Sequence, residues 1–180
     1  RFYYLGGTSK GLVNNRSLPD DRLDEPYNVL QLLDERGIDW RLYNSDVPTI
    51  LGLYPRYGGR ELGARGRIQP IEQFWEDAAN GELPPVAYVE PSFTVGVDQT
   101  DEHPPANPQT GQAFVQRIYE ALTTSPLWPR TALIVTYDEH GGFFDHVPPP
   151  EACVPDEYEP ELDGDDEPGR FDRYGFRVPL

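Results

Sequence analysis

Apolar positions along this chain alternate between a helical and an extended rhythm. Within 28–36 (NVLQLLDER), Val29, Leu32 and Leu33 stand at helical spacing, and Gly37 is placed to end the helix. Residues 39–43 (DWRLY) then read as a short strand. The stretch 71–79 (IEQFWEDAA) repeats the helical pattern through Phe74, Trp75 and Ala78, with Gly81 as its stop. Residues 86–89 (VAYV) form a short apolar strand pattern between prolines. The strongest helix signal runs over 111–122, with Phe114, Val115, Ile118 and Leu122 on one face. Residues 131–137 (TALIVTY) are an unbroken β-branched apolar run, the pattern of a central strand buried on both faces. A last strand-like segment covers 176–180 (FRVPL). Alternation of helix and strand predicts an α/β class with a mainly parallel sheet.

No internal repeat or low-complexity linker divides the 180 residues, so 1–180 reads as part of a single domain. Both ends are apolar (RFYYL and RVPL), which leads us to expect a partial domain whose first partner is the remainder of its own fold. Charge narrows the function classes. With 31 acids against 15 bases the formal net charge is −16, which repels phosphate backbones and argues against a nucleic-acid binder. A polybasic membrane tether is disfavoured for the same reason, and no apolar run reaches the length of a transmembrane segment. The single cysteine, Cys153, excludes an internal disulfide and a cysteine-based zinc site. Twenty prolines predict long ordered loops. Residues 151–170 carry nine acids before the first base, Arg170, and read as a solvated acidic surface loop.

The residues with the most chemistry lie in 131–150, TALIVTYDEHGGFFDHVPPP. The expected strand delivers Asp138 and Glu139 at its carboxyl end, where open α/β sheets bind ligands. Adjacent carboxylates are costly to bring together unless solvated or neutralised, and hard divalent cations prefer such oxygen ligands. Gly141 and Gly142 allow close backbone approach, and Asp145 and His146 follow before three prolines. A second element is 98–104 (DQTDEHP), whose His103 lies in a polar loop between a strand and a helix, suited to face a phosphate or a metal. Thr8 and Ser9, after Gly6-Gly7, read as turn hydroxyls.

The run DEHGGFFDHVPPP resembles the signature of the bacterial phosphoesterase family that contains non-haemolytic phospholipases C and related acid phosphatases. The resemblance extends to 1–11 (RFYYLGGTSKG), 28–43, the Glu102-His103-Pro104 triplet, Gly111-Gln112 and 125–128 (SPLW). It implies a three-layer, alkaline-phosphatase-like α/β fold and metal-assisted hydrolysis of a phosphate ester, either a phospholipase C-type diester or an acid phosphatase-type monoester. It further implies a Ser or Thr nucleophile that forms a phospho-enzyme. By position, Asp138 and Glu139 match paired acidic ligands of a divalent metal. His103 matches a histidine facing the phosphate, as catalytic and substrate-binding group. His146 is a further substrate-side candidate, and Asp145, Gly141 and Gly142 support the loop. His140 is peripheral.

The family's early Glu-Asn pair and its nucleophile have no counterpart here, so the nucleophile is expected upstream and the isolated segment is expected to be inactive. The resemblance also implies a secreted or periplasmic protein acting on a phospholipid head group or a phosphomonoester. Two alternatives stay open: a non-catalytic cation- or partner-binding module of the same fold, and an enzyme of that fold taking a sulfate or phosphonate. The expectation that His103 and Asp138 converge on one cavity completes the reading.

Overall fold

The computed structural model describes residues 2–14, 28–54, 66–94, 99–167 and 169–180. In chain order its elements are α1 (Phe2–Gly6), α2 (Val29–Glu35), β1 (Trp40–Asn44), α3 (Thr49–Leu53), β2 (Ile68–Pro70), α4 (Ile71–Asn80), β3 (Val86–Glu90) and α5 (Pro108–Thr124). A 3-10 turn follows at Trp128–Arg130. Two units emerge: Leu33–Leu133, and Arg1–Leu32 with Ile134–Leu180.

In the Leu33–Leu133 unit, β1 is the middle of a three-stranded sheet of order β2-β1-β3. Both pairings are parallel, with Leu42 opposite Ile68 on one side and Tyr88 on the other. The expected alternation and parallel pairing are therefore present. Central position explains why Trp40, Leu42 and Tyr43 are almost fully buried. Helix α4 ends where the sequence places its stop: Gly81 adopts φ 72°, ψ 31°, and its N–H returns to the last turn. Helix α5 begins earlier than its apolar face, because Asn107 caps it by accepting from Gln109 N at 3.0 Å and Pro108 fits the first turn. Its face then buries Ile118 and Leu122 against Tyr43, Ile71 and Phe74. Tyr43 meets Phe74 edge-on at 5.4 Å between ring centroids.

One buried charge belongs to this core. Asp77 on α4 accepts from Tyr43 Oη at 2.5 Å, Arg41 Nη1 at 2.5 Å and Gln73 Nε2 at 2.9 Å. Burial pushes the Asp77 carboxyl up, but these hydrogen bonds outweigh it and hold it below its ordinary value. The Tyr43 hydroxyl is pushed up, by burial first and then by its bond to Asp77. Asp77 thus pins α4 to β1.

The other unit is mostly irregular. Asn28 and Gln31 exchange side-chain to backbone bonds at the start of α2, at 3.0 and 3.1 Å, a reciprocal cap. Helix α1 forms from the aromatic segment that carries no helical period of its own. Ser9 Oγ donates to Leu12 O at 2.8 Å, and Thr8 Oγ1 accepts from Lys10 N at 2.8 Å and donates to Asp156. The Ser9–Leu12 and Thr8–Lys10 bonds are the turn bonds read from the sequence, while the Thr8 bond to Asp156 joins segments 148 positions apart.

Two strand expectations fail. Residues 131–137 form no strand, and the run is largely exposed: Ile134 is 75% accessible and Val135 40%. Residues 176–180 form none either, although Thr136 Oγ1 donates to Pro179 O at 3.2 Å. A buried strand needs neighbours to take its backbone bonds and layers over both faces. Among the described residues of this unit there is no strand, only an isolated antiparallel bridge between Glu151 and Arg173.

Candidate active site

The carboxyl ends of the three parallel strands carry Asn44, Pro70 and Glu90. Acidic groups there are committed to loop closure. Glu90 is buried and accepts from the N–H and hydroxyl of Thr49, fastening the start of α3. Asp46, two residues past β1, accepts from the segment that leaves β3.

His103 lies beyond that segment, exposed, in a loop whose backbone is held on both sides. Its N–H donates to Asp101 Oδ1 at 3.2 Å, and its carbonyl accepts from Ala106 N at 2.7 Å. The adjacent Glu102 sits at φ 59°. Its side chain crosses α5 so closely that a Cβ on Gly111 would stand 2.2 Å from Glu102 Cγ. Gly111 is therefore required by a close approach of the His103 loop. The sequence flags Gly111 only as part of a resemblance, since nothing local announces a neighbour nine positions earlier.

Asp138, Glu139, Gly141, Gly142, Asp145 and His146 all belong to the unit that contains 134–180. Asp138 and Glu139 are exposed, and they follow an irregular segment rather than a strand end, which corrects the expected placement. Glu139 Oε2 accepts from Gly141 N at 2.5 Å, so this carboxylate caps the turn in which Gly141 and Gly142 take φ 67° and 75°. His140 Nδ1 lies 3.7 Å from Glu139, and its ring stacks on Phe176 at 4.3 Å. His146 is turned outward, with its side chain 83% accessible.

Asp145 is the best-held of these groups. Arg177 forks onto it, Nε and Nη2 each 2.8 Å from a carboxylate oxygen, and Val147 N donates at 3.0 Å. Sequence reading missed Arg177, which is 32 positions away and lies in a segment expected to be a strand. The guanidinium, and then the Val147 N–H, hold the Asp145 carboxyl well below the usual carboxylate range. A depressed folded-state pKa means that the pair stabilises the loop above the unfolded value near ~3.9, and that this is lost as pH falls through the folded value. In Arg177→Gln, Asp145 is expected to titrate back toward the ordinary carboxylate range, followed by carbon NMR. An unchanged titration would assign the lowering to Val147 alone.

Whether these residues suit a metal follows from their donors. Among the described residues no three His, Cys, Asp or Glu side chains are grouped to hold an ion. Asp138 and Glu139 nevertheless supply the hard oxygens that a divalent cation takes, and they fit as part of a shell completed by other groups.

Comparison with known proteins bears on this chemistry. The model of the phosphoesterase family matches residues 1–180. A non-specific phospholipase C6 of Arabidopsis thaliana is 37% identical over 156 residues, covering 84% of this chain and 29% of that protein. A phospholipase C B of Mycobacterium tuberculosis is 33% identical over 173 residues, covering 82% of this chain and 32% of its own length. A non-hemolytic phospholipase C of Burkholderia pseudomallei is 40% identical over 95 residues, 51% of this chain and 12% of that protein. The chain thus spans about a third or less of the curated relatives it matches.

Proposed function

The chain belongs to the phosphoesterase family, and on that premise we propose that the full-length protein hydrolyses phosphate esters, with a phospholipid head-group diester as the favoured substrate. The observation that carries this reading is the family match over residues 1–180, with relatives named phospholipase C. An acid phosphatase-type monoester is the second substrate class. The domain organisation we propose is one domain to which all of 1–180 contributes, with 151–170 as an acidic surface loop. Its architecture is a three-layer, alkaline-phosphatase-like extension of the parallel sheet. A secreted or periplasmic location goes with this reading. Among the described residues, no helix is long and apolar enough to cross a membrane.

Roles divide by residue chemistry. Asp138 and Glu139 would hold a divalent cation through their carboxylate oxygens. Such a cation supplies Lewis-acid stabilisation of charge at the reacting oxygens. His103 faces the phosphate, protonating the leaving oxygen or balancing charge on the phosphoryl group. Its main-chain anchors at Asp101 and Ala106 support a fixed approach. Asp145, locked by Arg177, holds the loop that follows the acid pair, and Gly141-Gly142 lets that loop turn tightly. His146 extends the substrate side. The Ser or Thr nucleophile we place upstream of these residues, so the 180-residue segment alone is inactive.

The test is an assay of the full-length protein with phosphatidylcholine, p-nitrophenyl phosphorylcholine and p-nitrophenyl phosphate. Hydrolysis that a chelator abolishes and added divalent metal restores is the expected result. No turnover of any of the three with metal present would turn the reading toward a non-catalytic binding module.

A further inference from the structure

Asp46 makes more hydrogen bonds than its place after β1 requires for folding that strand. Its Oδ2 accepts from Ser92 Oγ at 3.0 Å, Phe93 N at 2.7 Å, Thr94 N at 2.7 Å and Thr94 Oγ1 at 2.8 Å. Its Oδ1 accepts from Val47 N at 2.5 Å. Of these five donors on one half-buried carboxylate, four are two consecutive amides and two hydroxyls where the chain leaves β3, and the fifth is the neighbouring Val47 N. Only an acceptor-only group satisfies all of them at once.

The clamp reaches His103 through one further link. Ser92 and Thr100 hold each other in both directions. Thr100 N donates to Ser92 O at 3.1 Å, and Ser92 N donates to Thr100 Oγ1 at 2.9 Å. From Thr100 the chain passes to Asp101, whose Oδ1 accepts from His103 N at 3.2 Å and from Gln99 Nε2 at 2.9 Å. Thr110 Oγ1 ties Gln99 O to the first turn of α5 at 2.7 Å. His103 thus rests on a loop fixed at its far end by α5 and at its near end by Ser92. Ser92, in turn, is fixed to the sheet's carboxyl edge by Asp46.

We propose that Asp46 is a positioning residue for His103, setting the approach of its imidazole by fastening the post-β3 turn to the end of β1. This rests on the assignment of His103 to the phosphate made above. A group 1 Å out of place forfeits much of its catalytic effect, so a distant clamp acts on turnover rather than on substrate affinity.

Asp46→Ala, Asp46→Asn, Ser92→Ala and the doubles with His103→Gln, made in the full-length protein and assayed with phosphatidylcholine, whose leaving alkoxide needs a proton, test this. Asp46→Ala is expected to lower kcat about 10–100-fold, the scale on which a catalytic group displaced by a distant change loses its effect, with KM within about twofold. Asp46→Asn keeps one oxygen able to accept from the 92–94 donors, and it should recover most of the loss. Ser92→Ala, which deletes one bond and leaves the amides in place, should lower kcat by at least about threefold. The deciding readout is non-additivity: in the His103→Gln background the Asp46 and Ser92 changes should have almost no further effect on kcat. A merely structural clamp would act equally in both backgrounds, and additive losses would overturn the proposal. So would Ser92→Ala at full activity beside an impaired His103→Gln, with the role of His103 intact. A fully active His103→Gln would instead remove the premise about His103 itself, and the proposal with it. Should Asp46→Ala not fold, Ser92→Ala and Thr100→Val carry the same cycle.

Discussion

His103→Ala in the full-length protein is expected to lower kcat/KM for phosphate-ester hydrolysis about 10²–10⁴-fold, the span of a positioned proton-transfer group. Imidazole is the one side chain whose ordinary pKa lies in the neutral range, so it both donates a proton and carries charge near pH 7. The surroundings here are built to hold it: its N–H and carbonyl are anchored, and Glu102 packs across Gly111 beside it. The leaving group separates its two possible tasks. If the imidazole protonates the leaving oxygen, the loss should be large for phosphatidylcholine, whose leaving group is the glycerol alkoxide, and small for nitrophenyl esters, whose leaving group needs no proton. If it balances charge on the phosphoryl group, the loss should be similar for both. Activity within about threefold of wild type on both classes would remove His103 from the site.

Asp138→Asn is expected to weaken divalent-metal affinity and to cut turnover at limiting metal by at least the ~10–100-fold seen for losses one shell further out. The amide retains one oxygen and forfeits the charge that a hard cation selects. Activity should therefore recover in part as metal is raised, shifting the metal-titration midpoint rather than only the plateau. Isothermal titration with the metal alone gives a second readout independent of turnover. An unchanged midpoint would take Asp138 out of the coordination shell. Glu139 offers a contrast. It already spends an oxygen on Gly141 N, so Glu139→Gln is expected to disturb the Gly141-Gly142 turn as well as the metal.

Particular residues mark what was legible in advance. Phe74, Trp75 and Ala78 on one helix, and Ile118 and Leu122 on another, announce their buried faces, because helical period and burial are the same fact seen along the chain and in space. Gly81 announces its stop because only glycine takes the left-handed cap without penalty. The parallel pairing of β1 with β3 follows from a helix between strands. The short elements α1, α3 and β2 were not legible, since 3 to 5 residues complete too little of any period. The run 131–137 was misread for the opposite reason: its composition states a preference for burial, and composition cannot supply the neighbouring strands that burial requires.

The chemistry divides in the same way. By itself the chain determined its acidity, its α/β alternation and the family signature carried by Asp138 through Pro150, for these are properties of residue order. Only the tertiary structure decided that Arg177 forks onto Asp145, that Glu102 lies over Gly111, and that Asp46 gathers the 92–94 turn. Each of these joins residues 9 to 48 positions apart through a carboxylate or a close approach. A hydrogen bond is satisfied by distance and angle in space, and no periodicity along the chain records which distant donor will meet which acceptor.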